Sequence, residues 1–251
     1  MNLLEPSLIH DWCLIPDWPA PENVRALQTT RQGGKSAAPY TSLNLGDHVG
    51  DEPLAVERNR MLLKPLLPSE PVWLKQVHGT AVINAGHTTC WPEGDACISS
   101  HPGAVCVVMT ADCLPVLLCD EQGSVVGAVH AGWRGLCDDI IESTVRAMNV
   151  PPGTLMAWFG PAIGPSAFEV GAEVRTAFIA RQREAAAAFI PGISGKWHAD
   201  IYQLARLRLN TLGVTHIYGG GLCTYTDHER FFSYRRDGIT GRMGTFIWLE
   251  C

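Results

Sequence analysis

Apolar positions change their spacing several times along the chain, and each change predicts an element. Residues 104–110 (AVCVVMT) and 124–131 (SVVGAVHA) are almost continuously apolar, rich in valine and bounded by glycine or proline. Strands covered on both faces read this way, although a short run of this kind does not by itself exclude a buried helix. Residues 154–160 (TLMAWFG) and 245–250 (TFIWLE) predict two more strands, and shorter runs predict others at 72–76, 80–84 and 214–220. Residues 24–31 (VRALQTTR) read as an edge strand.

A period near 3.6 appears at 135–150, where Ile140, Ile141, Val145 and Met148 fall along one side of an amphipathic helix. A second helix is predicted at 201–213, with Asp200 and Gln203 spaced as a capping box and Gly213 as its stop. Residues 52–67 have a helical pattern that enters through Pro53 and should end before Pro65. The alanine-rich stretch 173–189 predicts a fourth helix. Between these lie glycine-bearing loops at 32–51 and 160–170 and polar text around 223–226 and 231–244. Such loops are surface connections that also carry binding groups. With no fixed-period repeat and no low-complexity linker, residues 1–251 are expected to form one α/β domain.

Composition narrows the partners. Nineteen basic against 25 acidic residues give a net charge of −6, which argues against non-specific binding to nucleic acid or to an anionic membrane. No apolar run approaches the ~18 residues of a membrane span. The opening MNLLEPSLIHDWCLIPDWPAP places acids and prolines where a signal peptide needs a basic start and an apolar stretch, so a cytoplasmic location is expected. No obligate protein partner is evident. Nine cysteines with no C-x2-C pair indicate neither a zinc knuckle nor a redox dithiol, and most should be small buried hydrophobes.

Three chemically active residues recur at the ends of predicted strands: His78 in LKQVHG, Cys113 in TADCLP and His130 in AVHAGWRG. Strand ends in α/β sheets are where ligands gather. Two imidazoles and a thiolate make a zinc set with the fourth position open, yet spacings of 35 and 17 residues are not diagnostic. The same residues fit two other readings. Cys113 could be the nucleophile of a metal-free thiol hydrolase with His130 or His78 as its base, or all three could be structural. Arg31, Lys35, Arg134, Arg235, Arg236 and Arg242 lie in turn-like text suited to gripping phosphate or carboxylate. Trp133, Phe168, Tyr225 and Phe232 are candidates for stacking on an aromatic base. Walker, dinucleotide-binding, G-x-S-x-G, H-E-x-x-H, kinase and zinc nucleobase-deaminase patterns are absent.

The blocks TTRQGGKS, SLNLGDHVGD, VWLKQVHG, GDA, TADCLPVLLCD, AVHAGWRG, GPAIGPSAFEVG, ADIYQLARLRL and CTYT…FFSYRRDGITGRM together resemble the bacterial YfiH-type family. This is the multicopper-polyphenol-oxidase-like family, whose members are also called purine nucleoside phosphorylases or peptidoglycan editing factors. The resemblance runs from about residue 24 to residue 249. It implies an α/β fold, a single domain with layered mixed sheets flanked by helices, similar to the catalytic domain of a deamidating bacterial toxin. It implies a zinc site at His78, Cys113 and His130. It also implies phosphorolysis of adenosine, inosine and methylthioadenosine with adenosine deamination as a further activity, so that purine nucleosides and inorganic phosphate are the expected partners. The alternative it implies is a peptidoglycan editing factor that acts on or binds cell-wall precursors.

A copper laccase needs a type-1 copper and a separate histidine-rich trinuclear cluster, and nine histidines without an H-x-H pair do not supply them. Copper stays a second candidate metal because His2Cys is also a blue-copper ligand set. Arg31, Asn44, Gln76 and Arg134 are the candidate substrate-binding residues. Asp112 is the candidate orienting or basic group beside the catalytic trio. Gly221 and Leu222 stand where the family often has a charged pair, which bears on specificity.

Overall fold

The computed structural model describes residues 12–87 and 91–250. Cys90, Cys251 and His10 lie outside them. In chain order the strands are β1 (Cys13–Leu14), β2 (Val24–Thr29), β3 (Val82–Asn84), β4 (Ala96–Ser99), β5 (Cys106–Thr110), β6 (Leu114–Asp120), β7 (Val126–Ala131), β8 (Leu155–Phe159), β9 (Glu169–Val170), β10 (Phe189–Pro191), β11 (Trp197–Ala199), β12 (His216–Gly219) and β13 (Met243–Leu249). The helices are α1 (Pro53–Leu63), α2 (Trp133–Cys137), α3 (Ile140–Met148), α4 (Ala172–Arg181), α5 (Ile201–Leu212) and α6 (Tyr234–Asp237).

A mixed six-stranded sheet runs in the order β12-β8-β6-β7-β4-β3, and a four-stranded antiparallel sheet in the order β1-β2-β13-β5. A small third sheet, β10-β11-β9, lies beside them. The two larger sheets bury a shared layer that includes Leu117, Cys119, Val126 and Ala128 from one and Cys106, Val108, Ile247 and Leu249 from the other. Opposite faces of the same strands, such as Val116, Leu118 and Val129, pack on Ile140, Ile141, Leu204 and Leu209 of the helices. β6 and β7 are therefore apolar along nearly their whole length because both faces are covered, with Asp120 and His130 the exceptions near their ends. The far side of the four-stranded sheet, with Leu27, Val107 and Phe246, is closed by Leu43, Leu45, Leu63 and Trp73. Among the described residues no helix is long and apolar enough to cross a membrane.

Several predicted elements are redrawn by tertiary contacts. The expected edge strand at 24–31 is interior, because Cys13–Leu14 pairs along its outer side at Gln28 and Thr29. The expected helix at 135–150 breaks into α2 and α3 at Asp139, which takes φ +77° while Arg181 and Arg208 hold its carboxylate. The expected helix at 173–189 ends at Arg181, and Phe189 pairs with Ala199 instead. Residues 72–76 make only isolated bridges, at Val72 and Lys75. Beyond the Val72–Cys106 bridge, their attachment to β5 is by a side chain: Gln76 donates Nε2–H to the Met109 carbonyl at 2.8 Å and accepts the Met109 N–H at 2.7 Å. That amide fills both halves of a backbone pairing, so the chain needs no regular ladder there. The helix at 201–213 forms as expected. Asp200 Oδ1 accepts the Gln203 N–H, and Gly213 at φ +88° ends it with N–H bonds back to Asn210 and, from Val214, Leu209.

Candidate functional site

His130 is the penultimate residue of β7, buried to 4% exposure, and stands opposite Pro115 on β6. The tight turn joining β5 to β6 carries Asp112 at φ +93° and half-buried Cys113, so Cys113 precedes a strand rather than ending one. His78 sits at φ +60° in the loop after residues 72–76. An imidazole residue in the left-handed region needs outside support. Fully buried Asp95 supplies it by accepting the N–H groups of Val77, His78 and Gly79 at 3.2, 3.0 and 2.7 Å.

Asp95 also pairs with His130 Nδ1 at 2.7 Å, and its carbonyl accepts the His130 N–H at 2.7 Å. One carboxylate thus sets the loop that presents His78 and fixes the ring of His130, leaving His130 Nε2 to face the site. Burial favours the neutral acid, but the His130 bond and charge and the N–H groups of Gly79 and Val77 outweigh it, so Asp95 titrates below the ordinary carboxylate value. Burial also raises the Cys113 thiol, yet His130 and His78 bring it down to about 6. It likewise disfavours the His130 cation, but Cys113 and Asp95 carry that imidazole up to about 9. These are two halves of one ion pair, a thiolate beside an imidazolium.

The donor atoms of His78, Cys113 and His130 all lie within 4.8 Å of one another, and Cys113 Sγ is 3.8 Å from His78 Nε2. A tetrahedral zinc ion with ordinary Zn–N and Zn–S lengths separates nitrogen from sulfur by about 3.6 Å. The trio fits such an ion, and the Asp95–His130 contact is the outer hydrogen bond that orients metal-bound histidines. Gly132 completes the cradle. A Cβ there would lie 2.8 Å from His78 Cδ2 and 3.1 Å from Cys113 Sγ, so any larger residue would push two ligands aside.

The trio opens into a cavity of about 540 Å³, of the size that small-molecule ligands occupy. Its walls carry Gln76, Arg134, Arg235 and Arg242, with Trp133, Phe168, Tyr234 and Ile163 as the apolar part. Arg134 lies over the Trp133 ring at 4.5 Å, and its guanidinium makes no hydrogen bond or ion pair among the described residues. Arg242 gives one guanidinium nitrogen to the carbonyls of Thr240 and Gly241. Arg235 gives one to the carbonyls of Ala167 and Glu169. Burial lowers the Arg242 pKa, opposed by the nearby Cys113 and Asp112.

Not every candidate residue faces this space. Arg31 and Asn44 do not line it. Arg31 binds the carbonyls of Thr41 and His228, and fully buried Asn44 binds Gly46, Asp51 and the Arg242 N–H. Gln76 lines the cavity, but both ends of its amide are spent on Met109. Asp112 also lines it, with Oδ1 accepting the Thr224 hydroxyl at 2.6 Å and Oδ2 accepting the Arg235 N–H at 2.7 Å. Asp95 and His48 were not singled out as candidates. Their sequence signal was slight: one acid in GDA and one histidine in a glycine-rich loop.

Comparison with known proteins finds relatives over nearly the whole chain. Residues 25–250 match the family model described as multi-copper polyphenol oxidoreductase laccase. The chain is 56% identical over 239 residues to the Escherichia coli protein named purine nucleoside phosphorylase YfiH, spanning 94% of this chain and 98% of that one. It is 54% identical over 238 residues to Pseudomonas aeruginosa purine nucleoside phosphorylase PA4543, with the same coverage of 94% and 98%. Among solved structures, Neisseria meningitidis protein NMB0706 superposes with a TM-score of 0.92 at 51% identity, over 95% of this chain and 99% of that one. YlmD from Geobacillus stearothermophilus gives 0.88 at 30% identity, over 96% and 97%.

Proposed function

Because this chain belongs to the family described as multi-copper polyphenol oxidoreductase laccase, whose curated relatives are named purine nucleoside phosphorylases, we propose that it is a zinc-dependent purine nucleoside phosphorylase. Its proposed substrates are adenosine, inosine and methylthioadenosine, with adenosine deamination as a side activity, and its proposed compartment is the cytoplasm. One observation carries the reading: a single cavity of nucleoside size holds the His78–Cys113–His130 trio, three arginines and an aromatic wall.

Bound by that trio, zinc would supply Lewis-acid polarisation of a substrate oxygen. Asp95 holds His130 in the tautomer that leaves Nε2 for the ion. Arg134, Arg235 and Arg242 offer the N–H donors that grip a phosphate dianion. Phe168, Trp133 and Ile163 give the purine an apolar seat and keep water from the sugar. The oxidase reading is weaker. Among the described residues His78, Cys113 and His130 are the one group of three ligating side chains, where a laccase needs two separate copper centres. The same His2Cys trio would also hold copper in place of zinc.

The test is a chromatographic product assay on metal-quantified protein given adenosine or inosine, with and without phosphate. The expected result is free purine plus ribose 1-phosphate, only when phosphate is present, and lost in His78→Ala. Inosine formed from adenosine without phosphate would establish the side activity. If neither product forms while the protein holds one zinc, the reading fails and peptidoglycan precursors become the substrates to test.

A further inference from the structure

A purine leaves a sugar as a poor anion unless a proton reaches it, and a positioned acid contributes about 10²–10⁴-fold to such a step. Besides the three ligands and the arginines, the titratable side chains lining the cavity are Asp112, Tyr234 and His48. Asp112 is fully engaged, one oxygen by the Thr224 hydroxyl and the other by the Arg235 N–H. Tyr234 is 62% exposed, and its hydroxyl makes no hydrogen bond among the described residues that would fix it toward the cavity. His48 is left.

Its surroundings are built to hold it there. Asn44, wholly buried, accepts the N–H groups of Gly46 and Arg242 on Oδ1 and donates from Nδ2 to the Gly46 carbonyl and Asp51. The Tyr40 hydroxyl donates to the Val49 carbonyl at 2.8 Å on the other side of His48. Gly46 packs against Arg242 so closely that a Cβ would come within 2.8 Å of its Cγ. The loop bearing His48 is thus fastened to the arginine on the cavity wall. His48 Nδ1 lies 3.5 Å from Asp47, while Nε2 has no hydrogen-bond partner among the described residues. The charged groups facing the ring are Asp47, Arg60 and Arg242, and burial together with Arg242 keeps its pKa below the ordinary value.

On the phosphorolysis reading above, we propose that His48 is the catalytic acid that protonates the departing purine, and that Asn44 is the residue that positions it. The glycosidic C1′–N9 bond breaks with its electron pair going to the purine, as a phosphate oxygen forms the new bond to C1′. The His48 imidazolium gives its proton to purine N7. Monohydrogen phosphate enters with one proton. The sugar phosphate releases it after attack, and that proton restores the imidazolium, so atoms and charge balance.

The test compares His48→Gln with the wild type on inosine and on 7-methylinosine, whose cationic purine leaves without a proton. The expected outcome is a fall of at least about 100-fold in kcat/KM on inosine and of less than about 5-fold on 7-methylinosine, with zinc content and Tm unchanged. The wild-type inosine profile should fall as pH rises through the His48 pKa, and this limb should vanish in the variant. That limb decides the matter alone if the wild type refuses the methylated substrate. Equal losses on both substrates, no loss on either, or a limb that survives the substitution overturns the proposal while leaving phosphorolysis in place. A wild type that cleaves neither nucleoside with phosphate overturns the phosphorolysis reading itself, and this assignment with it.

Discussion

Replacing Asp95 with asparagine changes one atom of a buried carboxylate that meets four partners. Oδ1 faces the His78 N–H and His130 Nδ1, and Oδ2 faces the N–H groups of Val77 and Gly79. An amide has a single acceptor oxygen. Turned toward His130, it sets its NH2 against two backbone donors. Turned the other way, it orphans the His78 N–H and can satisfy His130 only if that ring moves its proton to Nε2, the atom the metal needs. Each buried donor left without a partner costs about 1–3 kcal/mol. A loss of about 3 kcal/mol follows, which lowers Tm by about 6–12 °C in a chain of this size. Loss of an outer hydrogen bond to a ligating histidine weakens metal binding by about 10–100-fold.

Zinc competition with a chromogenic chelator and thermal unfolding of the metal-free protein read the two effects separately. Asp120→Asn is the control. Asp120 ends β6, and its carboxylate caps Ser124 and Val125. That variant should lose stability while keeping its zinc affinity. If Asp95→Asn binds zinc within twofold of the wild type and unfolds at the same temperature, the assignment of Asp95 as the organiser of the site is wrong.

Other variants probe the neighbouring groups. Gly132→Ala should lower zinc affinity at least about tenfold by pressing on His78 and Cys113 while leaving far-ultraviolet dichroism unchanged; tight binding by the variant would refute the cradle. In metal-free protein, iodoacetamide should alkylate Cys113 with a rate that rises through about pH 6 and then levels, because a lowered thiol pKa keeps the thiolate present above that pH. Zinc should block the reaction, and a midpoint near an ordinary thiol's would contradict the ion pair with His130. Asp112→Asn should keep kcat within about fivefold, since an amide can accept the Arg235 N–H and donate to Thr224, whereas Asp112→Ala should lose about 2–4 kcal/mol of stability. Collapse of kcat in Asp112→Asn with the fold intact would instead support an orienting or basic role for this residue in the reaction.

The sequence by itself determined the elements whose reasons are local or whose burial is total. β5 and β7 are legible because strands covered on both faces admit apolar residues everywhere. α5 is legible because Asp200 and Gly213 mark its ends with short-range hydrogen bonds. The blocks around His78, Cys113 and His130 were legible as a family pattern, though not from spacing.

Tertiary structure alone decided how those three residues meet. His78 arrives on a left-handed loop held by an acid 17 positions later, and Cys113 on a turn before a strand. It also decided which polar residues face the cavity. Arg31 and Asn44 sit in loop text as suggestive as that of Arg242, yet Nε and Nη1 of Arg31 and both ends of the Asn44 amide are engaged by backbone groups 10 to 198 positions away or by nearby loop atoms. A side chain's free valence depends on what the rest of the fold brings to it. Local sequence carries no record of those distant hydrogen bonds.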